Sequence, residues 1–244
     1  MRLRPVQVNL KARDDVALGR FWAAALSWVA DSPEPGATSV RPEGAAWPLP
    51  TGLTLDVIAV PDAEPAGGRT HIELAAPSAT GHAELVARLV QLGAEPLGGA
   101  RDGSRTMLAD PEGNAFCVQA PDPVRADTGP VAAVVVECSG PRALARFWAE
   151  AVGLAPLDMS DDRVLLRSPA GAGPCLELVA TSHLGGRRSS AHLDLLARPV
   201  EAQRAEAERL ARIGATTADI GQGDVPWRVL ADPEGNLFCI LGRG

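Results

Sequence analysis

The sequence predicts an α+β protein of four βαβββ motifs, laid out as two tandem copies of one unit. Three observations carry this. First, four ordered segments recur at a nearly constant offset: Leu18 with Arg20-Phe21-Trp22 returns as Leu144 with Arg146-Phe147-Trp148, and His71-Ile72-Glu73-Leu74 as His192-Leu193-Asp194-Leu195. Arg88-Leu89 before Gly93 returns as Arg209-Leu210 before Gly214, and Asp110-Pro111-Glu112-Gly113-Asn114 as Asp232-Pro233-Glu234-Gly235-Asn236. One duplication with small loop changes explains all four. Second, each copy opens on a strand-like alternation followed by a helical stripe. Third, each copy closes on the same turn.

The elements follow in order. Val6, Val8 and Leu10 share one face of the opening strand, with Gln7, Asn9 and Lys11 on the other. Leu18, Phe21, Trp22, Ala25 and Leu26 then form one apolar helical stripe, repeated by Leu144, Phe147, Trp148, Ala151 and Val152. These aromatic pairs are expected in the core. Irregular strands lead to a strand over 53–60 in the first copy and Cys175–Ala180 in the second. A Gly-rich turn precedes each His strand, and a helix from about His82 to Leu92 ends at Gly93, placed for a left-handed cap. In the closing hairpin, Pro sets φ and Gly and Asn accept positive φ.

Between the copies, 120–130 carries Pro121, Pro123, Gly129 and Pro130, and reads as extended. The units are therefore set at 1–122 and 130–244, with a linker at 123–129. The chain of 244 residues is 46% hydrophobic, enough for sizeable cores, and its net charge of −7 disfavours a nucleic-acid surface. Arg187-Arg188 is the densest basic cluster and is expected in a solvated loop. No apolar run is long enough to cross a bilayer, and the N-terminus has no signal-peptide pattern. Cys117, Cys138, Cys175 and Cys239 form no C-x-x-C pair, so a reduced, cytoplasmic setting is expected.

The Phe-Trp pair after the first strand, the His-x-Asp/Glu-Leu strand and the Asp-Pro-Glu-Gly-Asn-x-Phe-Cys hairpin together resemble the glyoxalase-like branch of the vicinal oxygen chelate superfamily, over nearly the whole chain. The resemblance implies a tandem glyoxalase/bleomycin resistance/dioxygenase fold, in which four βαβββ motifs form two curved-sheet cups. It covers glyoxalases, extradiol dioxygenases, fosfomycin-modifying transferases and bleomycin-binding proteins, so fold alone does not fix function.

Strand parity tells which side chains face the cups, because apolar faces go to the helices. It selects Gln7, Asn9, Lys11, Asp56, His71, Glu73, Cys117 and Gln119 in the first copy. In the second it selects Ala133, Val135, Glu137, Glu177, His192, Asp194, Cys239 and Leu241. The resemblance implies four metal-ligand places, usually His, Glu, His and Glu. Here Gln7 and Ala133 fall at the first, Asp56 and Glu177 at the second, His71 and His192 at the third, and Cys117 and Cys239 at the fourth. Ala133 cannot bind a metal and Gln7 is a weak ligand. Two pairings stand: cups made within one copy, or cups that exchange halves, uniting Gln7, Asp56, His192 and Cys239 in one and Ala133, Glu177, His71 and Cys117 in the other.

These residues lead to a binder of a small organic molecule, metabolite or antibiotic, with no tightly bound cofactor metal. Its ligand is expected to be uncharged or partly cationic, with the more apolar second-copy cup the better pocket. Two rivals stand beside it. One is a metal-dependent lyase, isomerase or dioxygenase holding a divalent ion at His71, Asp56 and Cys117 or at His192, Glu177 and Cys239. The other is a metal-free enzyme using His192 and Glu177 as acid and base. Each His also has a carboxylate two positions on, Glu73 or Asp194, suited to a plain hydrogen bond. Trp47 and Trp227 lie off the helical stripe and suit either a cup mouth or surface packing. No nucleic-acid or membrane partner is expected. The assembly is either a monomer with an internal pseudo-twofold or a homodimer.

Overall fold

The computed structural model describes residues 3–60, 68–99, 104–182 and 190–242. The first copy runs β1 (Leu3–Ala12), α1 (Asp15–Leu26), β2 (Val29–Glu34), β3 (Ala37–Arg41), β4 (Thr54–Ala59), β5 (Thr70–Ala75), α2 (Ala79–Gln91), β6 (Glu95–Gly99), β7 (Arg105–Ala109) and β8 (Ala115–Gln119). The second runs β9 (Val131–Cys138), α3 (Pro141–Val152), β10 (Ala155–Met159), β11 (Arg163–Arg167), β12 (Cys175–Ala180), β13 (Ala191–Ala197), α4 (Gln203–Arg212), β14 (Thr216–Thr217), β15 (Arg228–Ala231) and β16 (Leu237–Leu241). Four βαβββ motifs are present. Gly93 and Gly214 take φ of +109° and +112° just past their helices, as their capping role requires. Arg187-Arg188 falls outside the described residues, as does most of the segment before each His strand.

The strands form two eight-stranded curved sheets, and each sheet draws on both copies. One has the order β14-β15-β16-β13-β1-β4-β3-β2, the other β10-β11-β12-β9-β5-β8-β7-β6. The first motif of one copy is thus completed by the second motif of the other. The seams are antiparallel: β1 pairs with β13, setting Gln7 opposite Asp194 and Asn9 opposite His192. In the other sheet β5 pairs with β9, setting Glu73 opposite Ala133 and His71 opposite Val135. Of the two pairings the sequence allows, the exchanged one is realised.

One continuous core lies under both sheets. Trp22 and Trp148 are 1% and 2% exposed, so the aromatic stripe is internal as expected. Trp22, on the helix packed against β2, β3 and β4, meets Phe116 of the other sheet at 5.0 Å between ring centroids, edge to face. Trp148 and Phe238 repeat the contact at 5.2 Å. Such pairs add about 0.5–1.5 kcal/mol beyond burial. Gly19 lets α1 lie directly on β3: a Cβ there would stand 2.3 Å from Thr38 Cγ2. A glycine inside a helix costs about 1 kcal/mol against alanine, which this close approach must offset.

The closing turns do more than reverse the chain. The Asp110 carboxylate accepts from the backbone N–H groups of Glu112 and Asn114 and from the Asn114 amide. Glu112 accepts from the backbone N–H groups of Arg13 and Asp14, at the start of α1. Glu234 does the same for Ser139 and Gly140 ahead of α3. A carboxylate here satisfies orphan N–H groups and complements the helix dipole.

Candidate functional site

Register decides which cup residues meet. Across the sheet centred on β1, Thr54, Gln7, Asp194 and Cys239 form one transverse row. Asp56, Asn9 and His192 form the next but one, with Ser39 beyond Asp56. Side chains two apart on a strand share a face, so Gln7, Asp56, His192, Asp194 and Cys239 converge. They floor a cavity of about 580 Å³. Its wall is largely apolar, including Pro33, Ile58, Val60, Ile220 and Leu241, with Trp47 and Trp227 also on the lining. Asn9 and Lys11 lie on it as well.

The floor is a connected polar network. Trp47 Nε1 donates to Gln7 Oε1 at 2.9 Å. An indole N–H is a donor only, so this bond turns the amide nitrogen of Gln7 the other way. That nitrogen donates to Asp56 Oδ2 and to Asp194 Oδ2, each at 2.9 Å. Ser39 Oγ donates to Asp56 Oδ1 at 2.7 Å. His192 Nε2 stands 3.2 Å from Asp194 Oδ1 and 3.3 Å from Cys239 Sγ. The expected His–carboxylate neighbour on the same strand is therefore present here. Burial raises the Asp56 carboxyl above its ordinary range, and the Asp194 charge adds to that; the Ser39 and Gln7 bonds pull the other way. Burial, reinforced by the Asp194 charge, holds the Cys239 thiol protonated far above its ordinary range.

The second cup has the same strand positions and a different filling. Glu73 and Glu177, equivalent to Asp194 and Asp56, are both 0% exposed. Between them lies the guanidinium of Arg125, whose Nη1 donates to Glu73 Oε1 and whose Nη2 donates to Glu177 Oε2 at 2.8 Å. Arg105 adds a second cation, with Nη2 on Glu177 Oε1 and Nε on Gln119 Oε1 at 2.8 Å. Ala133 stands where the other cup has Gln7, opposite Glu73 across the seam. Below the ion pairs, Ala133, Val135, Leu165 and Cys175 close into a small apolar cluster. Burial pushes the Glu177 carboxyl up, but the Arg125 and Arg105 charges outweigh it and hold it below its ordinary range. Burial dominates at Glu73 and raises it despite Arg125. Cys117 Sγ donates to Glu73 Oε2 at 3.4 Å, and burial with that charge keeps the thiol protonated.

Several expectations are corrected by this geometry. His192 and Glu177 lie in different sheets, so they cannot serve as one acid–base pair. The metal sets His71–Asp56–Cys117 and His192–Glu177–Cys239 are likewise split, because Asp56 and Glu177 change cups with their motifs. The apolar-walled cavity belongs to the more polar Gln7 cup, whereas in the other cup arginines fill the floor over Glu73 and Glu177 and leave a recess lined by Arg105, Gln119, Arg163 and Val179. Leu241, His192, Asp194 and Cys239, read as second-copy wall, line the open cup beside Gln7, Asn9 and Asp56. The segment after β8 is not simply extended: Pro123–Arg125 make a single 3-10 turn, capped by Asp122, that drives Arg125 inward. His71 and Glu73 share a face, yet Glu73 is taken up by arginines. Arg105, Arg125 and Ser39 went unread in the sequence. Arg105 carried one signal, standing where the other copy has Trp227.

The family's four-place metal set is a poor fit in either cup. In the open cup the amide nitrogen of Gln7, not its oxygen, faces the carboxylates. His192, Asp194 and Cys239 do bring three donor atoms within 4.8 Å of one another, but the Gln7 amide donates into Asp194 and Asp56 where the fourth place would lie. In the arginine-filled cup the first place is Ala133 and a guanidinium spans the acids.

The sequence matches the family model described as a glyoxalase-like domain twice, over residues 7–119 and 133–241. No curated protein sequence matches the chain significantly. Among solved structures, glyoxalase I from Zea mays superposes with a TM-score of 0.68 at 15% identity, over 98% of this chain and 92% of that one. A putative dioxygenase from Bacillus subtilis superposes with a TM-score of 0.62 at 15% identity, over 98% of this chain and 84% of that one. At such identity the likeness concerns the fold.

Proposed function

The chain belongs to the glyoxalase-like domain family, and on that premise we propose that it binds one small organic molecule in the Gln7 cup without help from a metal. The observation that carries this is the cavity itself: about 580 Å³, apolar along its walls, with polar groups converging on one floor. That combination is what small-ligand sites need, since apolar contact supplies affinity and a few fixed polar groups supply orientation. Trp47 and Trp227 offer flat faces to a planar or cationic ligand. Arg41, on the same lining, is committed to Asp31 at 3.2 Å and to the carbonyl of Ala45. Phosphorylated anions, which call for arginine clusters, are disfavoured.

The test is a thermal-shift screen of metabolites and antibiotics. A ligand at 100 times its Kd adds roughly 2.7 kcal/mol to stability. A true ligand should lose at least tenfold in affinity with Trp227→Ala or Asp194→Asn and keep its affinity with Gln119→Ala in the other cup. Hits insensitive to both cup variants would reject the site. A second reading rests on the convergence of His192, Asp194 and Cys239: a divalent ion held there. Elemental analysis of protein purified without chelator separates the two, and about one metal per chain would favour the second.

A further inference from the structure

The two cups place carboxylates at the same two strand positions, and in both a side-chain nitrogen of the chain itself spans them. In the open cup Asp56 and Asp194 are bridged by the Gln7 amide at 2.9 Å to each. In the arginine-filled cup Glu177 and Glu73 are bridged by the Arg125 guanidinium. The bridging groups come from unrelated places: Gln7 from the opening strand, Arg125 from the turn between the copies. Their sequence equivalents do not do the work, for Ala133 matches Gln7. Two different solutions to one need point to the need itself. Two carboxylates facing one another away from bulk water repel, and a hydrogen-bond donor or a positive charge between them relieves that repulsion.

We propose that the Gln7 amide and the Arg125 guanidinium occupy the cation position of their cups as built-in substitutes for a metal ion. Electrostatics and room fit each nitrogen to its cup. A guanidinium brings a full charge and a planar fork matched to two carboxylates, and it suits the cup whose floor is filled. An amide brings only the positive end of its dipole. Trp47 locks that dipole in place by taking its oxygen, and this is the cup that stays open. The amide does less to offset the paired charge, and the other Asp194 oxygen has His192 Nε2 beside it at 3.2 Å. The proposal deepens the metal-free reading of the open cup and rests on it, but it also covers the arginine-filled cup, where no ligand binding is claimed.

If these nitrogens stand in for a cation, removing them must create a cation site. Gln7→Ala would leave Asp56, Asp194, His192 and Cys239 around the vacated position. Arg105 also reaches both acids of the other cup, with Nε 3.4 Å from Glu73 Oε2 and Nη2 on Glu177 Oε1, so there the variant is Arg125→Ala/Arg105→Ala, which leaves Glu73 and Glu177 without either bridging guanidinium. Each variant would then be titrated with Co²⁺ and Zn²⁺ alone, in the full chain. The expected result is no stoichiometric uptake by the wild-type protein and about one ion per chain for Gln7→Ala. The Co²⁺ form should show a thiolate charge-transfer band that Gln7→Ala/Cys239→Ser loses. Arg125→Ala/Arg105→Ala should be destabilised, and Zn²⁺ should restore its melting temperature, while Arg125→Lys/Arg105→Ala should gain less from the ion. The Lys variant keeps a cation in place and guards against simple misfolding of the double Ala variant. Stoichiometric metal in the wild-type protein would overturn both this inference and the metal-free reading. Metal-free wild type with no uptake or rescue in either variant would overturn the inference alone.

Discussion

Trp22 and Asp110 join the two sheets within one copy: the indole N–H of Trp22 donates to Asp110 Oδ2 at 3.2 Å, and Trp148 meets Asp232 in the same way at 3.3 Å. Each tryptophan rides on a helix of one sheet, and each aspartate opens the turn of a hairpin in the other. Trp22→Phe keeps most of the packing and removes the donor to a buried carboxylate, and should cost about 2 kcal/mol. Urea unfolding of the full chain should register this as a lower midpoint with an unchanged slope. A second transition would show that the sheets unfold separately.

Because each sheet takes one motif from each copy, a lone copy has no partner for its two seam strands. Residues 1–129 expressed alone leave β1 and β5 open, and the simplest closure pairs β1 of one molecule with β5 of another. The expected product is a dimer with two cups, seen by sedimentation or light scattering. A folded monomer of that fragment would contradict the need for exchange.

Arg125 is 5% exposed and sits between two glutamates with no exposure. Taking away one partner of such a cluster leaves uncompensated buried charge, for which about 3–5 kcal/mol is typical. Arg125→Met should lose that much in chemical denaturation. The triple variant Arg125→Met/Glu73→Gln/Glu177→Gln should recover most of it, which separates charge from packing.

Acid sensitivity should begin at His71. Burial lowers its pKa from 6.5 to about 4; Glu177 pulls it up and Arg105 pushes it down. The unfolded chain therefore takes the proton first as pH falls. The stability held by the neutral imidazole is complete above about 6.5 and drains away between 6.5 and about 4. Glu177, held below its usual 4.5, adds a further loss at lower pH. Melting temperatures measured across this range should fall less steeply for His71→Gln than for the wild-type protein.

The cup walls were legible because alternation in a half-buried strand is local. Gln7, Asp56, His192, Asp194 and Cys239 all point where their parity puts them. The choice between intact and exchanged copies was not local. It depends on whether β1 finds β5 or β13, and both carry the same His-x-acid-Leu pattern. Arg125 was hidden for a different reason. It lies in a Pro- and Gly-rich stretch to which no periodicity applies, and its burial comes from one 3-10 turn and the two glutamates it meets. Trp47, on an irregular segment after β3, gave no sign of the bond to Gln7 that orients the floor.

The seam pairings carry a consequence for how this duplicated gene product can change. In a protein of separate beads, one bead can be lost or traded while the other works on. Here each half of the chain supplies one motif to each concavity, so neither concavity has a single owner. Innovation at the open one must be tolerated by the strands that frame the filled one. The filled one, clamped by charge, then acts as ballast: it fixes half of each repeat so that the remaining half is at liberty to diverge.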